Sequence, residues 1–277
     1  MPQFELRDKV VAITGAASGI GRALALALAR EGAALALGDR DESGLVEACH
    51  ACAELGADVT PHVVDVSNER NVRRFAGETL EHHGAVDAIV NNAGVALYGT
   101  ALEIATDEFA WLMSINFWGV VYGVRAFLPH ILERPEGAVV NVSSLFGLWG
   151  PPGQSAYAAS KYAVRGYSES LRGELLDSNV FVLTVHPAGI KTSIARASRI
   201  ARAADPERAA AETRVFDERF LTIPAETAAN AIVQAMKHRK ERLLIGADSH
   251  RVDLITRLLG PRAARMLASR VNVRGRR

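Results

Sequence analysis

The sequence predicts an α/β fold built on a doubly wound parallel sheet, and three features of its 277 residues carry that prediction. Short apolar runs alternate with longer stretches of helical period. The short runs are continuously apolar, as strands covered on both faces are. The first of them passes straight into a glycine-rich turn that opens a helix. Right-handed crossovers then wind the chain outward from the first strand and leave ligand sites at the carboxyl ends of the strands, where strand order reverses.

The predicted strands are Lys9–Ile13, Ala33–Gly38, Val59–Val64, Val86–Val90, Ala138–Val142, Val180–Val185 and Leu243–Ile245, about seven in all. Helices are predicted over 19–31, 42–55, 68–83, 107–133, 154–177, 224–239 and 250–268. In the first of these, Leu24, Leu26 and Leu28 alternate with alanines at a strand-like period. Alanine is the best helix former, however, and Ile20, Leu24, Ala27 and Leu28 share one helical face, so a helix is expected. The segment 193–223 breaks the rhythm beside the carboxyl edge of the sheet, where a lid over the site is expected. With no repeat or linker in view, one domain spanning 1–277 is expected, ending in a basic extension over 247–277.

Composition narrows the function. With 49% apolar residues, 23% charged and a net charge of +1, the chain is not disordered. Two cysteines make no disulfide framework, which points to a reducing, cytoplasmic setting. Met1 to Glu5 has neither the basic start nor the apolar run of a signal peptide. Gly137 to Ser160 is free of charge over 24 residues, but Asn141, four serines, Gln154 and Pro151-Pro152 suit a membrane helix poorly. Residues 251–277 hold eight arginines against one acid, yet no basic stripe with interleaved aromatics marks a nucleic-acid surface, so no nucleic-acid partner is expected.

The first strand leads into Thr14-Gly15-Ala16-Ala17-Ser18-Gly19-Ile20-Gly21. Glycines at 15, 19 and 21 permit a tight turn, close backbone approach to a pyrophosphate and close packing of helix on strand. The N–H groups and positive dipole end of the following helix suit the phosphates. Asp39 ends the second strand, 18 residues past Gly21. A carboxylate there accepts hydrogen bonds from an adenosine ribose and repels a 2′-phosphate, which favours NAD over NADP. Arg40 is the one neighbour able to pair with such a phosphate. Asp65-Val66 and Asn92-Ala93-Gly94, ending the third and fourth strands, fall on the same edge.

Tyr157 and Lys161, four residues apart near the start of a predicted helix, share one face. A phenol with its ordinary value near 10 is a poor base at neutral pH, and a neighbouring ammonium is expected to lower it. Tyr157 could then take a proton from an alcohol or give one to a carbonyl. Ser144, just past the fifth strand, could hydrogen-bond the substrate oxygen as charge develops.

Taken together, these residues resemble the short-chain dehydrogenase/reductase family in its single-domain branch. Its motifs occur in order: the Thr-Gly-x3-Gly-Ile-Gly turn, Asp65, Asn91-Asn92-Ala93-Gly94, Asn116, Ser143-Ser144, Tyr157-x3-Lys161 and Pro187 to Thr192. The resemblance implies a Rossmann fold and reversible hydride transfer between NAD(P) and an alcohol or ketone. It makes Tyr157 the general acid/base, with Lys161 tuning it and holding the nicotinamide ribose. Ser144 then orients the substrate oxygen, Asn116 holds a water of the proton relay, and Pro187, Ile190 and Thr192 meet the carboxamide and phosphates. One departure stands out: Pro187-Ala188-Gly189 replaces the usual Pro-Gly, and Gly189 is expected to absorb the turn. Homodimers or homotetramers are usual in the family, the dimer being built from the helices at 107–133 and 154–177.

Leu97, Leu145, Phe146, Leu148 and Trp149, with Ile194, Ile200, Phe216 and Phe220 on the lid, predict an apolar substrate wall. A hydrophobic secondary alcohol or ketone is therefore expected. The alternatives are reduction of carrier-bound 3-oxoacyl groups, or a sensor that binds NAD without turnover. Cys49-His50-Ala51-Cys52 lacks metal-site spacing and reads as a buried thiol pair. His82-His83-Gly84 reads as a helix end without chemistry, and no metal is expected. In the extension, Leu254-Ile255, Leu258-Leu259 and Met266-Leu267 recur at helical spacing among arginines. A helix docked on the domain is expected there, with contact to an anionic membrane or a second subunit as the alternative.

Overall fold

The computed structural model describes residues 3–192, 198–211, 214 and 221–271, with residues 270 and 271 as backbone alone. In chain order the elements are β1 (Val10–Thr14), α1 (Gly19–Arg30), β2 (Ala34–Asp39), α2 (Glu42–Ala53), β3 (Val59–Val63), α3 (Glu69–His83), β4 (Ala88–Asn91), β5 (Leu97–Tyr98), α4 (Thr106–Met113), α5 (Gly119–Leu132), β6 (Gly137–Val142), α6 (Ser155–Glu174), β7 (Val180–Pro187), β8 (Arg199–Ile200), α7 (Ala225–Lys237), β9 (Arg242–Ile245), α8 (Ala247–Leu259) and α9 (Pro261–Val271). Seven strands form one sheet in the order β3-β2-β1-β4-β6-β7-β9, every pairing parallel. The order reverses between β1 and β4, so a crevice opens above their carboxyl ends.

Strand periodicity divides the core in two. Val11 and Ile13 of β1, with Leu35 and Leu37 of β2, face α1 and α7, where Leu24, Leu28, Ile232 and Met236 cover them. Val10, Ala12, Ile89, Val139 and Val182 face the other way, onto Val72, Phe75, Val124, Phe127 and Ile131 of α3 and α5. Both faces being covered is why these strands read as unbroken apolar runs. The Leu-Ala segment forms α1, with Leu24 and Leu28 fully buried and Leu26 only in part. Cys49 and Cys52 are buried free thiols, both pushed up to about 11 by burial.

Three predicted elements differ. The helix expected over 107–133 is α4 and α5 joined by one π-helical turn, Ser114–Trp118, and Pro129 sits inside α5. The helix expected over 250–268 is two, α8 and α9. Gly260, with φ 50°, and Pro261, which lacks an N–H, end one helix and open the next. The segment where a lid is expected carries β8, which pairs in parallel with β5 as a small second sheet that periodicity did not reveal. Arg202 binds Asp107 on α4 at 2.6 Å, and the Arg199 guanidinium lies 3.8 Å from the Trp111 ring centre. Ile194, Phe216 and Phe220 lie outside the described residues. Among the described residues no helix is long and apolar enough to cross a membrane.

Candidate active site

The glycine turn is held against the end of β4. Gly15 has φ 69°, and a Cβ there would lie 2.8 Å from the Ala93 Cα, so a side chain is excluded by conformation and by space. A Cβ on Gly21 would fall 2.0 Å from the Gly15 carbonyl oxygen. Asn92 Nδ2 donates to the carbonyls of Thr14 and Gly15, both at 3.0 Å. Thr14 Oγ1 accepts from the Asn92 and Ala93 amides at 3.1 and 3.2 Å. Thr14 is thus the clamp across the switch point, a role that its place before the first glycine could have suggested. Ser18 precedes α1 without capping it through its side chain, and the first turn, containing Ile20, carries no acid. The N–H groups of that turn are therefore left for an anion from outside the chain.

Around this turn, Asp39 accepts from the Ala17 amide at 2.9 Å and the Asp41 amide at 3.0 Å. Arg40 is exposed. Asp65, also exposed, accepts from the Ser67 amide and hydroxyl, while Val66 is buried. The Thr192 side chain approaches Gly19, with Cγ2 3.1 Å from where a Cβ would lie. Ile190 is buried and bridges to Ile223. Pro187 ends β7, and the departure at Ala188 is absorbed without a glycine conformation. The Ala188 amide donates to the Ile245 carbonyl at 2.9 Å, the Gly189 carbonyl accepts from Thr222 and Ile223, and Gly189 is not among the residues with positive φ. Gly189 thus bends the chain as expected, without entering the left-handed region.

Tyr157 and Lys161 lie in the first two turns of α6, beyond the end of β6. Lys161 is buried, its Nζ donates to the Val142 carbonyl at 3.0 Å, and that Nζ lies 5.8 Å from the Tyr157 ring centre. Burial lowers Lys161 to about 8 and raises Tyr157 above its ordinary value, while polar contact with the Ser144 side chain pulls Tyr157 back down. The expected lowering of the phenol by the ammonium is not found: desolvation raises it, and Ser144 is the group that draws it down. Ser144 caps the short 3-10 turn Leu145–Gly147, its Oγ accepting from the Phe146 amide at 3.1 Å. Ser143 is the strand-end neighbour, donating to the Lys161 carbonyl at 2.8 Å.

Asn116 sits in the π-helical turn, wholly buried. Its Oδ1 accepts from the Val95 amide at 2.8 Å, and its Nδ2 donates to the Val95 carbonyl at 2.9 Å and to Ser160 Oγ at 3.1 Å. Ser160 in turn donates to the Tyr157 carbonyl. Both side-chain N–H groups are therefore committed, and the Asn116 amide ties β4's exit to the start of α6. Gly94 completes the convergence: a Cβ there would lie 3.3 Å from Asn116 Oδ1 and 3.4 Å from Lys161 Nζ.

The apolar wall forms in part. Leu145, Phe146, Leu148 and Trp149 are buried in one cluster with Tyr157 at its edge, Phe146 meeting the Tyr157 ring edge-on at 6.1 Å. Leu97 flanks Tyr157 from a second cluster, with Leu112 and Ala156. Ile200 is exposed instead. Val252 and Ile255 of α8 and Leu267 of α9 join the first cluster, so the extension reaches the site. His186, which no sequence pattern marked, lies beneath: its Nδ1 is 3.1 Å from the Ser144 carbonyl, and Ser249 Oγ donates to the His186 carbonyl.

The family described as short chain dehydrogenase matches residues 9–203. The chain is 41% identical over 273 residues to SadH of Mycobacterium tuberculosis, named as a candidate oxidoreductase, covering 98% of this chain and 97% of that protein. It is 34% identical over 189 residues to the 3-oxoacyl-[acyl-carrier-protein] reductase FabG of Thermotoga maritima, covering 68% of this chain and 77% of the other. A short-chain dehydrogenase/reductase from Burkholderia phymatum, crystallised with NAD, superposes with a TM-score of 0.84 at 34% identity, over 91% of this chain and 92% of that one. With the glycine turn, the Tyr157–Lys161 pair and Ser144 set around one sheet edge, and with these matches, the chain belongs to the short-chain dehydrogenase/reductase family of oxidoreductases.

Proposed function

We propose that this protein transfers hydride reversibly between NAD and an apolar secondary alcohol or ketone, with Tyr157 as general acid/base. The observation that carries the reading is the meeting of Tyr157, Ser144 and Lys161 beside Gly94, at the same edge as the glycine turn. That turn, where only glycine fits and no acid occupies the helix start, suits a dinucleotide. Gly15, Ser18, Gly19, Ile20 and Gly21 would hold its pyrophosphate, Asp39 its adenosine ribose, and Asn92, Ala93, Gly94 and Lys161 the nicotinamide side. When bound, NAD supplies the hydride acceptor and NADH the donor. Tyr157 gives its phenolic proton to the carbonyl oxygen in reduction and takes it back in oxidation, while the Ser144 hydroxyl orients that oxygen. Lys161 holds positive charge near the phenol.

The cluster of Phe146, Trp149 and Leu145 supports an apolar substrate, and α8 with α9 would close its outer side. Within it, Trp149 Nε1 is buried with no partner among the described residues, which leaves one donor for a second oxygen on the substrate. The segment 193–223 would act as the lid, its described part carrying β8. For self-association, the exposed Trp118 in the π-helical turn and Tyr162 on α6 support pairing through the segments 107–133 and 154–177.

The test follows the absorbance of reduced nicotinamide with NAD and NADP separately across a panel of secondary alcohols, comparing wild type with Tyr157→Phe. Turnover with NAD ahead of NADP, lost in Tyr157→Phe while NAD binding persists, is expected. Binding without turnover on any alcohol or on a 3-oxoacyl thioester overturns the reading in favour of a sensor. The similarity to FabG favours a second reading, reduction of carrier-bound 3-oxoacyl groups. Activity confined to a 3-oxoacyl thioester would establish that one instead.

A further inference from the structure

At the opposite end of the sheet, where β3 begins and α3 ends, five polar side chains hydrogen-bond in line. Asp58 Oδ2 is 3.1 Å from His83 Nδ1, and His83 Nε2 is 3.0 Å from Thr60 Oγ1. Thr60 Oγ1 is 2.9 Å from His62 Nε2, and His62 Nδ1 is 2.9 Å from Glu78 Oε2. These four contacts need four protons. Two neutral imidazoles supply one each and the hydroxyl one more, while ionised carboxylates only accept. The chain is one proton short. With both rings neutral, one of the four contacts sets two lone pairs face to face, and where His83 Nε2–H donates to Thr60 and Thr60 to His62 that contact is the one between His83 Nδ1 and Asp58, which a cation there would relieve.

The Asp58 end is equipped for it. His82 Nε2 lies 3.6 Å from Asp58 Oδ1, and the donor atoms of Asp58, His82 and His83 all fall within 4.8 Å of one another. We propose that Asp58, His82 and His83 form a binding site for a divalent transition metal of the Zn2+ type. Two imidazoles and a carboxylate are the donor set such an ion takes, with water completing a tetrahedron. Tetrahedral bonding needs donors roughly 3.4 Å apart. The half-exposed His82 can swing that far, whereas the His83 side chain is held at 1% exposure. The remaining groups then serve the metal: His83 Nε2–H donates to Thr60, Thr60 to His62 Nε2, and His62 Nδ1–H to Glu78. That order fixes the His83 lone pair on Nδ1, toward the ion, as outer partners of metal-bound histidines do. All three available protons are used, and the ion replaces the missing fourth. Such an ion would pin the end of α3 to β3, away from the Tyr157 site.

The test is titration of the chelator-stripped, tag-free full chain with Zn2+ by calorimetry and with Co2+ by absorbance. Binding of one ion per chain is expected. Affinity should fall at least about tenfold in His82→Ala, His83→Ala and Asp58→Asn, and about tenfold in Thr60→Val, which touches no metal. Cys49→Ser should leave binding unchanged. The proposal is overturned by affinity weaker than about 1 mM, the mark of a network completed by a proton alone, or by binding that survives both histidine changes.

Discussion

The Lys161 ammonium lies 5.8 Å from the centre of the Tyr157 ring and is held there by its hydrogen bond to the Val142 carbonyl, not by the phenol. Burial acts on the two in opposite senses, bringing Lys161 down to about 8 and Tyr157 above its ordinary value. Lys161 is therefore the first of the pair to lose charge as pH rises. Carbonyl reduction needs a protonated phenol beside a cation, so its rate should hold near neutrality and decline above about pH 8. A pH profile at saturating cofactor checks this. A decline beginning only near 10, as an unburied lysine or phenol would give, sinks it. Tyr157→Phe should lower the rate by roughly 10²- to 10⁴-fold at every pH.

Asp39 offers a second test, because its carboxylate braces the turn and, on the proposed function, would set cofactor preference. It accepts the Ala17 and Asp41 amides, so removal of the side chain would confuse the two effects. Asp39→Asn keeps an oxygen for Ala17 and discards the charge. The NADP-to-NAD ratio of kcat/KM should rise at least about tenfold, equal to about 1.4 kcal/mol, with thermal stability little changed. A ratio that stays put would mean that the carboxylate does not face the ribose.

Beneath Ser144, His186 is 1% exposed and burial brings it down to about 4. The sign follows from linkage. Between about 6.5 and 4 the unfolded chain takes a proton on this imidazole and the folded chain does not, so stability falls as pH falls through that window. His186 alone should contribute a loss of about 2 kcal/mol at pH 5 relative to pH 7. His62 and His83, also lowered by burial, push the same way. Denaturant unfolding at the two pH values should show a smaller loss in His186→Asn. That variant can still donate to the Ser144 carbonyl and should retain activity, whereas His186→Phe should lower kcat more than it raises KM for the cofactor. Equal pH sensitivity in wild type and His186→Asn would remove His186 from this account.

Much of this site was legible because its residues are fixed by backbone demands that only certain types meet. Gly15 and Gly21 are required by contacts of 2.8 and 2.0 Å that no Cβ survives, and the Tyr157–Lys161 spacing is one helical turn. What stayed hidden depends on contacts between distant segments. The two-residue strands β5 and β8 are too short to show a period, and nothing local tells His186 from any other strand residue. The π-helical turn at Asn116 leaves the helical spacing of apolar residues nearly intact. The break at Gly260-Pro261 is a different case: a turn signal was present in the sequence, and the apolar spacing on either side of it masked it.

That broken helix bears on the proposed substrate wall. Because α8 and α9 turn on Gly260, Leu267 folds back to join Val252, Phe146 and Trp149 in the cluster that touches Tyr157. A single straight helix would carry Leu267 away from them. Leu267→Ala should destabilise the fold by about 2 to 3 kcal/mol through the cavity it leaves. If the cluster walls the substrate side, the same change should raise KM several-fold for a bulky apolar ketone and leave KM for a small ketone and for the cofactor nearly unchanged. Steady-state kinetics on a graded series of ketones separates this from general loosening. A packing defect remote from the substrate would lower kcat alike for every member of the series, and that result would remove the extension from the site.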